Sequence, residues 1–135
     1  MSSRIASCTC GQLSITVMGE PRSVGLCHCF ACQKRTGSVF AALARFRAPF
    51  EVSGTATEFT RVGDQGTRFT FRFCPLCGTN LFHTEQGVEG SVSVAVGAFS
   101  DPQFPAPAAS IYDSRRHHWV QLPACTTRVF EMDPP

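Results

Sequence analysis

Seven of the eight cysteines fall into three short clusters. The clusters are Cys8-x-Cys10, Cys27-x-Cys29-x-x-Cys32 and Cys74-x-x-Cys77. Four thiolates close the tetrahedral shell of a structural zinc ion, whereas three thiolates leave one coordination position open, as catalytic zinc sites do. The cysteine spacing therefore predicts two zinc ions per chain, one structural and one catalytic.

A disulfide framework is the competing use of eight cysteines. It requires an oxidising compartment and cysteines that can be bridged without strain. Cysteines one or two residues apart are better placed to share a metal, and the N-terminal stretch has no apolar run typical of a secretory signal. The sequence favours metal ligation in a reducing, cytoplasmic setting.

The first and third clusters supply two sulfurs each, and we expect Cys8, Cys10, Cys74 and Cys77 to form the closed site. The run from Cys74 to Gly78 has the form of a zinc knuckle, in which glycine lets backbone amides approach the sulfurs. Such a site would be architectural, because metal binding there becomes folding free energy, roughly 10 to 16 kcal/mol in small zinc domains.

The middle cluster, Cys27, Cys29 and Cys32, has no obvious fourth partner and is predicted to be the catalytic site. The fourth ligand is water, a substrate or a protein atom. The candidates in the chain are His28, His83, His117, His118 and Cys125. A lone histidine more often lies in a core or on a surface, and a lone cysteine such as Cys125 is expected to be a small buried hydrophobe.

The charge of a three-thiolate zinc site limits its chemistry. The net negative charge makes the ion a poor Lewis acid and a poor source of hydroxide. The site is better suited to taking up a thiol, lowering its pKa and holding it beside an electrophile. Lys34 and Arg35 follow the last ligand, and they either offset this charge and receive an anionic substrate or face solvent on a helical turn.

Composition excludes several classes of protein. With 135 residues, 43% of them hydrophobic and 16% charged, the chain is expected to be one folded domain over residues 1–135. A net charge of +2 is too small for a nucleic-acid binder. The basic run 115–118 either holds an acidic small molecule or is a solvated loop. No apolar stretch is long enough to cross a bilayer.

The elements that position these clusters are mainly strands. Side chains alternate with a period of two in Leu13–Val17, Arg68–Phe73 and Ser91–Val96. The continuous apolar run Val39–Phe46 is also predicted to be a strand, and Thr127–Met132 is predicted to be a closing strand.

One short helix is predicted over Phe30–Thr36, ending at Gly37. The segment Ser100–Ser110 contains three prolines and is predicted to be a surface loop. The fold class is therefore mainly β, with the zinc sites among the strands.

Four blocks of the sequence resemble the glutathione-dependent formaldehyde-activating enzyme (Gfa-like) family, also called S-(hydroxymethyl)glutathione synthase. They are Cys8–Leu13, Cys27–Ser38, Phe73–Phe82 and Ile111–Trp119. The resemblance implies a β-tent fold of short antiparallel sheets organised around zinc sites, with structural and catalytic zinc ions on the two sets of cysteines given above. It also implies a carbon–sulfur lyase that adds the thiol of glutathione to formaldehyde or a related small aldehyde.

One residue departs from the family pattern, since Ser110 stands where members commonly have a histidine. Two other functions remain open. The protein is either the enzyme or a non-catalytic, zinc-stabilised binding or chaperone-like module of the same fold, because fold does not determine function. A methionine sulfoxide reductase would need a reactive cysteine outside the metal sites, and only Cys125 could serve.

Overall fold

The computed structural model describes residues 2–129. The strands of this range are β1 (Ser3–Ser7), β2 (Ser14–Met18), β3 (Ser23–Cys27), β4 (Ala41–Arg47), β5 (Phe50–Ser53), β6 (Thr57–Val62), β7 (Arg68–Phe73), β8 (Asn80–Glu85), β9 (Ser91–Ala95), β10 (Ala109–Ile111) and β11 (Thr127–Val129). Helix α1 spans Phe30–Thr36, and 3-10 turns span Val96–Phe99 and Asp113–Arg115.

The strands form two sheets. The smaller has the order β1-β2-β5, and the larger has the order β11-β10-β3-β4-β9-β8-β7-β6. Most pairs are antiparallel, but β10 lies parallel to both β3 and β11. The predicted mainly β class is confirmed, and the two sheets beside the cysteine clusters agree with a β-tent. The antiparallel pairing implied by the resemblance holds for every described pair except those of β10, a late segment that enters the sheet beside β3.

The hydrophobic core lies between the two sheets. In β2, Ile15 and Val17 are fully buried and alternate with partly exposed residues, as a strand with one covered face requires. They join Phe46 of β4 and Val94 of β9 in one cluster of buried side chains. Burial of each such side chain contributes roughly 1.5 to 3 kcal/mol, so this layer stabilises the scaffold independently of the other face.

The opposite face of the large sheet carries a different row of side chains. The register aligns Phe59, Phe71, His83, Ser93 and Arg45 across five neighbouring strands. Cross-strand partners project from the same face, so this row forms one continuous surface. By the same alternation Cys27, paired with Ala41, also projects from this face.

Helix α1 lies where the sequence predicts it. The sulfur of Cys29 caps its N-terminus by accepting a hydrogen bond from the Cys32 amide, and Gly37 ends it with a left-handed backbone (φ 73°). Glycine adopts this conformation without steric cost, and this explains the stop.

Alternation predicted β2, β7 and β9, and a continuous apolar run predicted β4; the ends of these strands differ from the prediction by at most two residues. The closing strand begins at Thr127 as predicted, and residues 130–132 lie outside the described residues. The loop prediction for 100–110 is wrong at its end, because β10 begins at Ala109. No helix within residues 2–129 is long and apolar enough to span a bilayer.

A side-chain bridge fixes the turn between β5 and β6. The Gln12 side chain donates to the Thr55 carbonyl (2.7 Å) and accepts from the Thr55 amide (2.9 Å). Gly54 makes this approach possible with φ 96°, because a Cβ atom there would lie 1.8 Å from the Gln12 carbonyl oxygen.

We expect Gly54→Ala to destabilise the protein more than Gly37→Ala. Both substitutions force alanine into a left-handed backbone, at about 1 to 2 kcal/mol, but only Gly54 has backbone within contact distance. The overpacking at Gly54 adds about 1 to 3 kcal/mol. Urea unfolding of both variants measures the difference, and equal midpoints would contradict the steric argument.

Candidate functional site

The first and third cysteine clusters converge on one point. The sulfurs of Cys8, Cys10, Cys74 and Cys77 all lie within 4.8 Å of one another. Sγ of Cys10 is 3.6 Å from Sγ of both Cys8 and Cys74. A tetrahedral ion with metal–sulfur bonds of about 2.3 Å separates its sulfurs by about 3.8 Å, so the arrangement fits zinc.

Hydrogen bonds prepare these sulfurs for the anionic form that ligates metals. Backbone amides of Leu13 and Leu76 donate to Cys8 and Cys74 at 3.3 and 3.4 Å. Gln12 Nε2 donates to the Cys74 sulfur at 3.1 Å. Such donors around the ligands hold a metal site in shape.

Thr79 stabilises the last member of this set. Hydrogen bonds from its hydroxyl and its amide lower the pKa of Cys77 to about 5. The four sulfurs complete a ligand shell, so this cluster leaves no position for a substrate and suits a structural role.

The middle cluster is delivered by one strand end and one helix start. Strand β3 ends at Cys27, Cys29 caps α1 and Cys32 lies in its first turn. The three sulfurs lie within 4.8 Å of one another, and Cys29 and Cys32 are buried while Cys27 is half-buried. The structure thus brings together the three residues predicted to act as one group.

Positive charge lies beside these three sulfurs. Arg35 Nη2 is 3.7 Å from the Cys32 sulfur. Hydrogen bonds from Cys27 and Cys32, followed by weaker effects that include the charge of Arg61, lower the pKa of Cys29 to about 2. A divalent ion on three thiolates carries one net negative charge, which these arginines offset.

No candidate for a fourth ligand joins this group within residues 2–129. His83 packs 4.8 Å from the Phe71 ring, and burial, followed by nearby arginines, lowers its pKa to about 3. His117 Nε2 lies 3.0 Å from the Gln33 amide oxygen, and His118 is exposed. Among the described residues the shell therefore keeps an open position.

Cys125 is not the buried residue expected from the sequence. It is exposed, in a turn with φ 68°. The expectation is wrong because the residue types around Cys125 do not reveal that it lies in an exposed turn. The turn also separates Cys125 from β11, so this residue is not the strand-borne thiol that a methionine sulfoxide reductase needs.

His28 points away from the sulfurs into a buried polar network. Its Nε2 lies 2.9 Å from the Ser110 hydroxyl, which donates to Asp113 Oδ1 at 2.7 Å. Arg116 and Arg128 donate to the two oxygens of Asp113 at 3.0 and 2.7 Å. The serine proton goes to the carboxylate, so the serine oxygen accepts from the imidazole. Ser110, noted only as a departure from the family pattern, therefore anchors the loop between two ligands.

The same loop is held at the sheet edge by backbone pairing. The His28 amide donates to the Ile111 carbonyl at 3.0 Å, and Ile111 pairs with Cys27 in the parallel register of β10 and β3. Gln33 Nε2 donates to the His28 carbonyl at 2.8 Å. These hydrogen bonds fix the backbone of the segment that carries Cys27 and Cys29.

Tyr112 belongs to the block Ile111–Trp119 that carries the family resemblance, but the sequence assigned it no role of its own. It packs against the middle cluster and has a left-handed backbone (φ 53°), which is strained for a side chain of this size. Its hydroxyl donates to Asp64 Oδ2 at 3.1 Å. Burial, followed by this hydrogen bond, raises the pKa of Tyr112 to about 12, so the hydroxyl stays protonated. The contact joins the β6–β7 turn to the wall of the site.

A cavity of about 490 Å³ adjoins the middle cluster. It meets the cluster at Ala31 and at Arg35, whose guanidinium contacts the Cys32 sulfur. Cationic and aromatic side chains dominate its lining: Lys34, Arg35, Arg61, Phe59, Phe71 and Phe73. A second cavity, of about 430 Å³, shares Arg35 and Asn80 with it.

Comparison with known proteins assigns the family. The model of the glutathione-dependent formaldehyde-activating enzyme family matches residues 3–115. The chain belongs to this family. The matched range contains all seven cysteines of the two sulfur groups described above.

Among solved structures, a crystal structure of a Rhodobacter sphaeroides protein, a structural genomics target, is similar to this family member. The two share 22% sequence identity and a TM-score of 0.56 over 73% of this chain and 92% of the other. At this identity the likeness concerns the fold. A comparison with the curated proteins gave no match.

We expect the two cysteine clusters of this formaldehyde-activating enzyme relative to respond differently to mutation. Cys74→Ala removes a ligand from the closed site, whose metal contributes roughly 10 to 16 kcal/mol, a value that exceeds or equals most domain stabilities. We therefore expect an unfolded or aggregated protein. Cys29→Ala leaves the core layer intact and yields a folded protein with one zinc fewer.

Zinc content by elemental analysis and far-ultraviolet circular dichroism measure these outcomes. Cys125→Ser is the control, because Cys125 is exposed and lies outside both clusters. Equal loss of fold in the Cys74 and Cys29 variants would contradict the division between the clusters.

We expect Asp113→Asn to destabilise the protein at neutral pH by about 2 to 3 kcal/mol. This is below the range for a fully buried pair because Arg128 is half exposed. Although burial opposes it, hydrogen bonds from Ser110, Arg128 and Arg116 lower the pKa of Asp113. A lowered pKa stabilises the fold above the unfolded value of about 3.9, and this contribution is lost as the pH falls through the folded pKa.

Urea unfolding of wild type and variant at matched pH measures this difference and cancels effects that both share. We expect the difference in the free energy of unfolding between wild type and variant to be constant above about pH 5 and to shrink below about pH 4. The exposed Asp101→Asn is the control and should show no such gap. A gap that persisted unchanged at pH 3 would argue against the carboxylate as its source.

Proposed function

We propose that this member of the family is a zinc-dependent, carbon–sulfur lyase-type enzyme. It adds a thiol such as glutathione to formaldehyde or a related small aldehyde, at the group formed by Cys27, Cys29 and Cys32. The observation that carries the proposal is the unequal partition of the sulfurs. Four form a complete shell, and three form an incomplete one beside a cavity lined by cations.

The reaction needs no oxidant or reductant. The thiol sulfur forms a bond to the aldehyde carbon, the π electrons of the carbonyl move to its oxygen, and the thiol proton ends on that oxygen. Zinc held by the three cysteines would supply a position that lowers the pKa of the thiol. Holding both reactants in one site removes much of the entropic barrier to their encounter.

Other residues of the chain stabilise charge in the site or hold its parts in position. Arg35 and Arg61 place positive charge beside the sulfur group and stabilise negative charge that develops on sulfur or oxygen. Tyr112 keeps its proton, and its hydroxyl is committed to Asp64, so it positions the wall of the site and does not act as a base. His28 is likewise committed to Ser110.

The cellular setting follows the same chemistry. All eight cysteines are free thiols, which supports a reducing compartment, and we propose the cytoplasm. We also propose that residues 1–135 act as one domain, because the two sheets share the core between them.

A second candidate function is a zinc-stabilised binding module without catalysis. Large apolar side chains more than half exposed favour it: Phe30, Phe59, Val62 and Trp119. Exposed apolar surface of this kind often marks an interaction site. A module would retain its partner after Cys29→Ala, whereas an enzyme loses its activity.

We expect the zinc-loaded protein to accelerate the exchange between formaldehyde and its glutathione adduct, measured by magnetisation-exchange NMR. Cys29→Ala should reduce this acceleration about a hundredfold, because the proposed site loses one of its three ligands together with the hydrogen bonds that orient that ligand. Cys125→Ser should retain it. Acceleration that survives in Cys29→Ala would falsify the assignment of the reaction to this site.

A further inference from the structure

The cavity beside the middle cluster is too large for formaldehyde and its lining has a definite chemistry. Its volume of about 490 Å³ lies in the range of pockets for whole small molecules. Phe59 of β6 and Phe71 of β7 are cross-strand partners, as are Arg61 and Phe69. Because residues two apart share a face, the rings and the guanidinium point from one surface of the sheet.

Two of the cations at this cavity have no acidic partner within residues 2–129. Arg61 lies over the rings of Phe69 and Phe71, at 5.3 and 5.7 Å from their centroids. Arg35 lies 4.6 Å over the Phe71 ring, and its side chain donates to the Asn80 amide oxygen and the Cys32 sulfur. Neither takes part in an ion pair with a carboxylate in that range.

The acidic residues on the neighbouring strands are engaged elsewhere. Glu58 pairs with Arg72, and Glu85 pairs with Arg45. Asp64 accepts the hydrogen bond of Tyr112. None of the described residues that line the cavity is acidic.

The sulfur cluster does not use all of this positive charge. With a divalent ion it carries one net negative charge, fewer than the three positive charges of Lys34, Arg35 and Arg61. An anionic group of the ligand would balance the remainder. A ligand ammonium group would find three cations and no carboxylate, which disfavours it.

We propose that the preferred thiol is an amphipathic anion, with an aromatic or branched apolar body and a carboxylate but no ammonium group. This inference rests on the proposed thiol addition and names its substrate class. The apolar body lies against Phe59 and Phe71, and the carboxylate binds Arg61 and Lys34. Glutathione, whose γ-glutamyl end carries an ammonium group, is a poorer substrate than such a thiol.

The test compares two aromatic thiols that differ in charge, 4-(mercaptomethyl)benzoate and the neutral 4-(mercaptomethyl)benzamide, with glutathione, which carries an ammonium group and has no ring. Addition of each to formaldehyde is followed as kcat/KM on the zinc-loaded protein. We expect the benzoate to exceed the benzamide by about tenfold, the effect of one hydrogen bond to a charged group, and to exceed glutathione. Higher salt should reduce the ratio of kcat/KM for the benzoate to kcat/KM for the benzamide, because salt screens the attraction between the carboxylate and the cations.

Arg61→Gln is the decisive variant, and Arg68→Gln is its matched control. Arg68→Gln removes the same charge from the adjacent strand. Arg68 pairs with Val62, so its side chain faces the opposite side of the sheet. We expect Arg61→Gln to abolish the preference for benzoate over benzamide, and Arg68→Gln to preserve it. Zinc content must be equal in all three proteins.

Phe59→Ala tests the aromatic wall. Phe59 is 61% exposed, so its loss is tolerated by the fold, and Val62→Ala on the other face of β6 is the control. We expect Phe59→Ala to raise KM for both aromatic thiols by a larger factor than it raises KM for glutathione. The Val62 variant should behave as wild type.

The outcomes separate this inference from the proposed reaction. If Arg61 serves only to offset the sulfur charge, Arg61→Gln lowers the rates of benzoate and benzamide equally, and the inference is overturned. Faster addition of glutathione than of the benzoate overturns it as well. Binding of 4-methylbenzoate, measured by calorimetry and dependent on Arg61, without addition of any thiol, overturns the proposed reaction and supports the ligand class of the cavity.

Discussion

The fold depends on the close approach of four sulfurs, which as thiolates would repel one another and would be held together by a shared cation. Two of these sulfurs, those of Cys10 and Cys74, lie 64 positions apart in sequence and 3.6 Å apart in space. This separation is too close for uncompensated thiolates, so a metal ion bound there would tie the edge of the small sheet to the end of β7. The Gln12 side chain extends the same tie to the β5–β6 turn, because its amide nitrogen contacts both Cys74 and Thr55.

The two faces of the large sheet divide stability from chemistry. One face is covered by the small sheet and holds the buried side chains that stabilise the scaffold. The other face carries the three-sulfur group, the arginines and the phenylalanine rings. A face that packs against no second sheet tolerates strained and charged residues such as Tyr112 and Arg61, because their cost falls outside the core.

Local features were predictable from sequence, and features that arise from distant pairing were not. Short spacing predicted each cysteine cluster, because residues two to five positions apart lie close together, and the need of a closed tetrahedral site for four ligands predicted that the first and third clusters meet. Helix α1 was predictable from its glycine stop. Strand β6 has almost no buried residue and hence no apolar alternation, so its Phe59 and Arg61 could not be identified. The Ser110–Asp113 network and β10 require a partner more than 80 residues away, at β3.

The position of β10 between β3 and β11 sets an order of events during synthesis on the ribosome. The segment that carries Cys27, Cys29 and Cys32 emerges early, whereas its parallel neighbour, residues 109–111, emerges near the end. Until the late segment docks, the His28 amide and the edge of β3 lack their partners. The nascent chain therefore exposes these three thiols before the strand that orders their loop has been synthesised.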